Sequence, residues 1–129
     1  MVIDSSALFA IVFDEPDHPA YLEAIITAVS LTISAPTLFE CRMVALRKSG
    51  PDLEERILSL LKKSQVSVAA FDEHHVELAM QAFHRYGKGR HAAGLNFGDC
   101  FAYALAKSLN EPLLYKGADF ARTDIVSAI

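Results

Sequence analysis

Val2-Ile3-Asp4-Ser5-Ser6 decides the fold. Two apolar β-branched residues followed by an acid and two hydroxyls read as a very short buried strand with Asp4 at its C-terminal end. In open α/β sheets that end faces the crevice where ligands bind. Asp4 is then either a helix cap or one arm of a cluster of carboxylates, and the rest of the chain has to supply the other arms.

Outward from this strand, helical and extended patterns alternate. Ser5 to Phe13 is apolar almost throughout and predicts a buried helix. Asp14-Glu15-Pro16-Asp17 breaks it, and Pro16 suits the first turn of a second helix, with Tyr21, Leu22, Ile25, Ile26 and Val29 forming its stripe. Leu31 to Ser34 alternates like a strand. Ala35-Pro36-Thr37 opens a third helix, with Leu38, Cys41, Ala45 and Leu46 as its apolar stripe. Ser49-Gly50-Pro51-Asp52 separates it from a fourth, whose Leu53, Ile57, Leu60 and Leu61 face inward. Val66 to Phe71 predicts the third strand, and Asp72 caps a fifth helix with Val76, Ala79, Met80 and Phe83 on its inner face.

The stretch from Tyr86 to Gly98 is glycine-bearing and irregular, and it leads into a helix from Asp99 to Leu109 that is apolar on almost every side. Leu113 to Tyr115 reads as a strand, Gly117 to Phe120 as a turn, and Ile125-Val126 as a last short strand. Strands alternating with helices predict one α/β domain over residues 1–129, three layers thick (α/β/α), around a mostly parallel sheet.

Composition narrows the function classes. The chain is 52% hydrophobic and 22% charged, with a formal net charge of -4. A mean hydropathy of +0.24 excludes disorder. It also leaves more apolar surface than a small monomer easily hides, so self-association or a partner is expected. The acidic balance argues against holding nucleic acid by bulk charge, but not against an enzyme that works on it through bound cations. No apolar run reaches membrane-span length, and no secretory signal opens the chain. Cys41 and Cys100 lack metal-type spacing and read as buried thiols. A cytoplasmic protein is expected.

Four acids take equivalent places. Asp4 follows the first strand, Glu40 lies in the first turn of the helix after the second, Asp99 opens the buried helix, and Asp119 sits in the turn after the last long strand. Each has a structural explanation on its own. Asp4 and Asp99 suit N-caps, Thr37-Leu38-Phe39-Glu40 matches a capping box, and Asp119 suits its own turn. In a parallel sheet, however, all strand C-termini share one edge, so the four can converge. Like charges gathered there repel unless a cation neutralises them. Oxygen-only ligands favour Mg²⁺ or Mn²⁺, and such ions clamp the oxygens of a phosphodiester during in-line displacement.

The segments that carry these acids resemble the PIN-domain ribonucleases, more narrowly the VapC-type toxins. They are Val2 to Leu8, Ser34 to Glu40, Tyr86 to His91 running into Leu95 to Cys100, and Leu113 to Phe120. The resemblance spans almost the whole chain with its motifs in order. It implies a PIN fold and an Mg²⁺- or Mn²⁺-dependent endoribonuclease. Asp4, Glu40, Asp99 and Asp119 match the acidic set, with Asp4 and Asp99 as metal ligands and Glu40 and Asp119 reaching the metal directly or through water. Ser6 matches the hydroxyl kept near the first acid. Position 5, often Thr in such proteins, is Ser here. The resemblance also implies homodimers and inhibition by a cognate VapB-type antitoxin.

Other readings fare worse. The run from Gly87 to Ala92 fits a dinucleotide pattern, but it follows a helix instead of a strand. Lys116 after a strand suggests a phospho-acceptor receiver, yet Asp4 is followed by serines where that chemistry needs a second acid. The histidines make no metal pattern. Lys88 and Arg90, with Arg85, His91 and Tyr86 beside them, either grip RNA phosphates and stack a base or form a solvated loop. The Tyr21–Val29 stripe and the helix face near Cys41 offer either core packing or partner contact. The alternative of another class is a catalytically silent PIN-like module that acts by partner binding.

Overall fold

The computed structural model describes residues 1–129. Its sheet holds four parallel strands in the order β3-β2-β1-β4. These are β1 (Val2–Ile3), β2 (Thr32–Ser34), β3 (Ser67–Ala69) and β4 (Leu113–Leu114). The helices are α1 (Ser5–Val12), α2 (His18–Thr27), α3 (Ala35–Ser49), α4 (Pro51–Lys63), α5 (Glu73–Tyr86) and α6 (Phe97–Leu109), and a 3-10 turn follows at Phe120–Arg122. This is the three-layer α/β/α architecture the alternation predicts, with every strand pair parallel.

The two residues of β1 point to opposite faces, as the pleat requires. Ile3 packs with Leu8, Ile33, Cys41, Ile57 and Leu114, in a core that α1 to α4 close. Val2 packs with Ala82, Leu95, Tyr103, Leu105 and Leu113, under α5 and α6. Neighbours in β4 part in the same way. β1 is hydrogen-bonded on both sides: Val2 N–H donates to the Pro112 carbonyl (2.9 Å), Asp4 N–H to Leu114 (2.9 Å), and Thr32 N–H to Met1 (3.0 Å). Asp4 therefore sits at the middle of the C-terminal edge.

Several boundaries move for identifiable reasons. All of Asp14 to Asp17 belongs to the break, so Pro19, and not Pro16, lies in the first turn of α2. Ser34 is the N-cap of α3, so Thr37 is already inside the helix and cannot cap it, and Glu40 falls in the second turn. α6 begins at Phe97, because Asn96 and not Asp99 is its N-cap. The third strand shrinks to Ser67–Ala69, and the last one to a single bridge between Leu113 and Ser127. On α5 the buried side chains are Ala82 and Tyr86, while Val76 and Met80 are exposed. The α2 and α3 stripes split similarly: Tyr21, Ile25, Cys41 and Ala45 enter the core, and Ile26, Val29 and Leu46 stay outside. No helix is long and apolar enough to cross a membrane.

Leu113 and Leu114 are both 0% exposed. Each substitution by alanine should therefore cost about 2–5 kcal/mol, the usual range for a Leu-to-Ala change in a core. Denaturant midpoints of the two variants check this, since a strand with one wet face would lose stability at only one of the two positions.

Candidate active site

Asp4 fills the first of the two roles that the sequence leaves open. It is the N-cap of α1, and its Oδ2 accepts from Ser6 N–H at 2.9 Å and from Ser6 Oγ–H at 2.5 Å. It is also only 3% exposed. Both bonds fall on one oxygen, which leaves the lone pairs of Oδ1 free of them.

Asp99 is held by a comparable arrangement. Asn96 Oδ1 accepts from Asp99 N–H (3.1 Å), and Asp99 Oδ2 accepts from Asn96 N–H (2.7 Å), a reciprocal capping box. Asn followed three residues later by an acid is legible as a helix start; placing that start at Asp99 overlooks it. The first turn of α6 also receives Glu40. A Cβ at Gly98 would stand 2.7 and 2.9 Å from the two Glu40 carboxylate oxygens. Only a glycine there lets the Glu40 carboxylate lie against the helix beside Asp99, and no periodicity signals that requirement.

Asp119 precedes the 3-10 turn and makes no side-chain cap bond. The turn-stabilising role that its position suggests is thus not the one it fills. Its charge nonetheless reaches the other acids. Burial raises the Asp4 carboxyl, the two Ser6 bonds oppose that, and Asp119 adds to the rise. Burial likewise raises Glu40, with Asp4 adding to it. Asp99 is pushed up to about 6, by burial first, then by Asp4, Asp119 and Glu40, against the Asn96 N–H. All four acids therefore share one electrostatic neighbourhood at the sheet edge. In this structure no three of them stand together as a metal-binding group.

The thiols next to Glu40 and Asp99 in sequence stay out of this chemistry. Cys41 and Cys100 are free and buried. Burial, and then the nearby acids, raise Cys41, and push Cys100 up to about 11. Thr37, three residues before Glu40 and so on the same face of α3, buries its Oγ1 without a protein partner.

Comparison with known proteins places this geometry. The PIN domain family model matches residues 1–126. A ribonuclease VapC of Mycolicibacterium smegmatis is 42% identical over 127 residues, which are 98% of each chain. The chain belongs to the PIN-domain family of VapC ribonucleases. Ribonuclease VapC36 of Mycobacterium tuberculosis is 41% identical over 97% of this chain and 91% of its own. Among solved structures, Mycobacterium tuberculosis VapC20, described as a toxin that cleaves the sarcin-ricin loop, superposes with a TM-score of 0.78 at 16% identity. That match covers 97% of this chain and 95% of VapC20. A toxin–antitoxin complex from Klebsiella pneumoniae gives 0.72 at 18% identity, over 99% and 97% of the two chains. At those identities the structures support the shared fold.

In this PIN domain Lys88 and Arg90 stand exposed on the loop of residues 87–96. Leu95 N–H donates to Tyr86 and Lys88 N–H to Leu95, both at 2.9 Å, which pins the loop's ends together. Arg90 lies over the Phe83 ring, 5.7 Å from its centroid. Arg122, a residue no motif singles out, donates to the Ala92 carbonyl at 2.7 Å and ties the loop to the turn after Asp119. Tyr86 is buried against Tyr103 and His91, so it is not available to stack a base.

The Asp99 shift has a sign that can be tested. Its carboxyl titrates near 6 in the folded protein, against about 4 when unfolded. The stability it contributes is thus fully present below about pH 4 and is lost as pH rises through 6. Asp99→Asn should raise the melting temperature of the metal-free protein by a few degrees at about pH 8 and leave it unchanged at about pH 4. Thermal melts at both pH values check this, and an equal gain at both would trace to the cap instead.

Proposed function

We propose that this PIN domain, acting as one unit over residues 1–129, is the toxin of a toxin–antitoxin pair. It is an endoribonuclease that depends on Mg²⁺ or Mn²⁺ and works in the cytoplasm. The observation that carries this is the burial of Asp4 at the C-terminal edge of a parallel sheet, with the Glu40 carboxylate against Gly98 in the first turn of α6, where Asp99 stands. The full-length likeness to proteins named as VapC ribonucleases supplies the reaction class.

The residues present fit a hard divalent cation. All the donors are oxygens. Asp4 and Asp99 are each anchored through one carboxylate oxygen, with the other left out of those bonds. The missing Cβ of Gly98 leaves room for the Glu40 carboxylate next to Asp99. Asp4 and Asp99 would hold the ion, with Glu40 and Asp119 reaching it directly or through water. A bound cation would acidify a water at neutral pH and offset the charge developing on the scissile phosphate. Ser6 keeps Asp4 oriented, and the capping box with Asn96 keeps Asp99 in place. Lys88 and Arg90 would meet the RNA phosphates.

A VapB-type antitoxin is the proposed partner. Structures of similar fold are described as a toxin–antitoxin complex from Klebsiella pneumoniae and as VapBC2 of Rickettsia felis bound to promoter DNA. A homodimer is proposed with it, since Phe39, Met43, Leu46, Val76, Met80 and Phe97 leave large apolar surface exposed.

Incubation with RNA, with and without Mn²⁺, should give cleavage only with the ion, and Asp4→Asn should lower the rate by about 100-fold or more. Metal-independent cleavage, or an undiminished variant, would refute the mechanism. A silent binding module would cleave under neither condition. Replacing Lys88 and Arg90 together by alanine should weaken RNA binding and reduce the slope of log affinity against log salt by about 1–2. Binding measured across a salt series checks this, and an unchanged slope removes both residues from the interface.

A further inference from the structure

Lys116 is one hydrogen bond away from Ser6, the serine that holds Asp4, and the acid set does not account for its side chain. Its ammonium pairs with the carboxylates of Glu15 and of Asp17, the latter at 2.5 Å. Both acids come from the break between α1 and α2. Asp17 stands at the N-cap of α2 yet makes no side-chain cap bond; its carboxylate is given to Lys116 instead. A local rule broken in this way points to a role elsewhere. The two acids hold the lysine ammonium above its usual range, Asp17 first.

The main chain of the same residue faces the other way. Lys116 N–H donates to Ser6 Oγ at 2.9 Å, and Ser6 Oγ–H donates to Asp4 Oδ2 at 2.5 Å. A hydroxyl has one proton to give, so the direction is set: Lys116 to Ser6, Ser6 to Asp4. Lys116 thereby touches the first turn of α1 with its backbone and the segment beyond the last turn of α1 with its side chain. It joins the end of β4 to both ends of the helix that Asp4 caps.

We propose that Lys116 is a positioning residue for the acid site, whose clamp on Glu15 and Asp17 holds its N–H on Ser6 and so fixes the Asp4 carboxylate. This rests on the reading that Asp4 holds a divalent cation. Lys116 is not a phosphate contact in this scheme, because two carboxylates already neutralise its charge. Partners that orient a metal ligand without touching the metal typically change metal affinity by about 10–100-fold when lost.

The test uses the full chain without RNA and reads Mn²⁺ affinity by calorimetry, together with amide hydrogen exchange at position 116. Lys116→Met should weaken Mn²⁺ binding about tenfold and speed exchange of its own amide, and Lys116→Arg should restore most of both. Asp17→Asn, which keeps the lysine and the local shape, should shift both readouts the same way by less. A purely structural clamp lowers the melting temperature while Mn²⁺ affinity stays put, and that result overturns the proposal. So does unchanged Mn²⁺ affinity together with a higher KM in a separate RNA-cleavage assay, which would make Lys116 a substrate contact. Wild-type protein that binds no Mn²⁺ removes the metal site itself, and the proposal with it. Wild-type binding matched by Lys116→Met and Asp17→Asn removes the proposal alone.

Discussion

A two-residue strand carries the central constraint of this molecule. β1 lies between β2 and β4 and is hydrogen-bonded to both, with one side chain in each core. A strand so short has no freedom to slip, because a shift of one residue would exchange Val2 for Ile3 between two close-packed faces. The next residue, Asp4, is then delivered to one place: the centre of the C-terminal edge, 3% exposed. Burying a carboxylate there disfavours its charged form. The two bonds from Ser6 oppose that penalty, and Lys116 holds the serine from the other side.

The sheet edge that carries Asp4 is legible in the sequence because parallel topology is a strong rule. Once the helices and strands alternate, acids that follow strands must share an edge, however far apart they lie in the chain. Asp4 and Asp119 need nothing more than that to be grouped, whereas Asp99 follows α5 and a loop, and Glu40 lies in the second turn of α3. Their fine placement is not legible in the same way. The clearance at Gly98 depends on how α3 meets α6, and the partners of Lys116 sit about a hundred positions away, a coupling with no local signature. Helix starts fail at Thr37 and Asp99 for a different reason. A start at Asp99 overlooks the capping box that Asn96 forms with it, and the match at Thr37 fails because α3 has already begun at Ala35.

Apolar periodicity misleads on α5 for a reason of its own. Val76, Ala79, Met80 and Phe83 have the spacing of an inner face, yet the residues that meet α6 most deeply are Ala82 and Tyr86. The expected face instead lines an open groove of about 430 Å³ with Phe71, Phe97, Cys100 and Phe101. Spacing records that a face avoids water, and it does not record whether the cover is this chain or another. The exposed Phe39, Met43 and Leu46 on α3 add to the same surplus. A chain that is 52% hydrophobic and has two complete cores still leaves these side chains over, which is why a partner fits the composition as well as the fold.

The acid edge and the stability of the domain work against each other. Burial raises Asp4, Glu40 and Asp99 alike, and each of the three also feels at least one neighbouring carboxylate. Near neutral pH the metal-free site therefore holds its charges at a cost to the fold. A ligand that binds the folded state alone stabilises it by mass action, and one that needs deprotonated carboxylates releases protons as it does so. Occupation of this site by a divalent cation should thus depend on pH in the window where Asp99 titrates, near 6. The carboxylates that would make the edge reactive are the same groups that make it unstable when empty. The domain tolerates them because Ser6 and the Asn96 capping box each satisfy one oxygen of the two most enclosed aspartates.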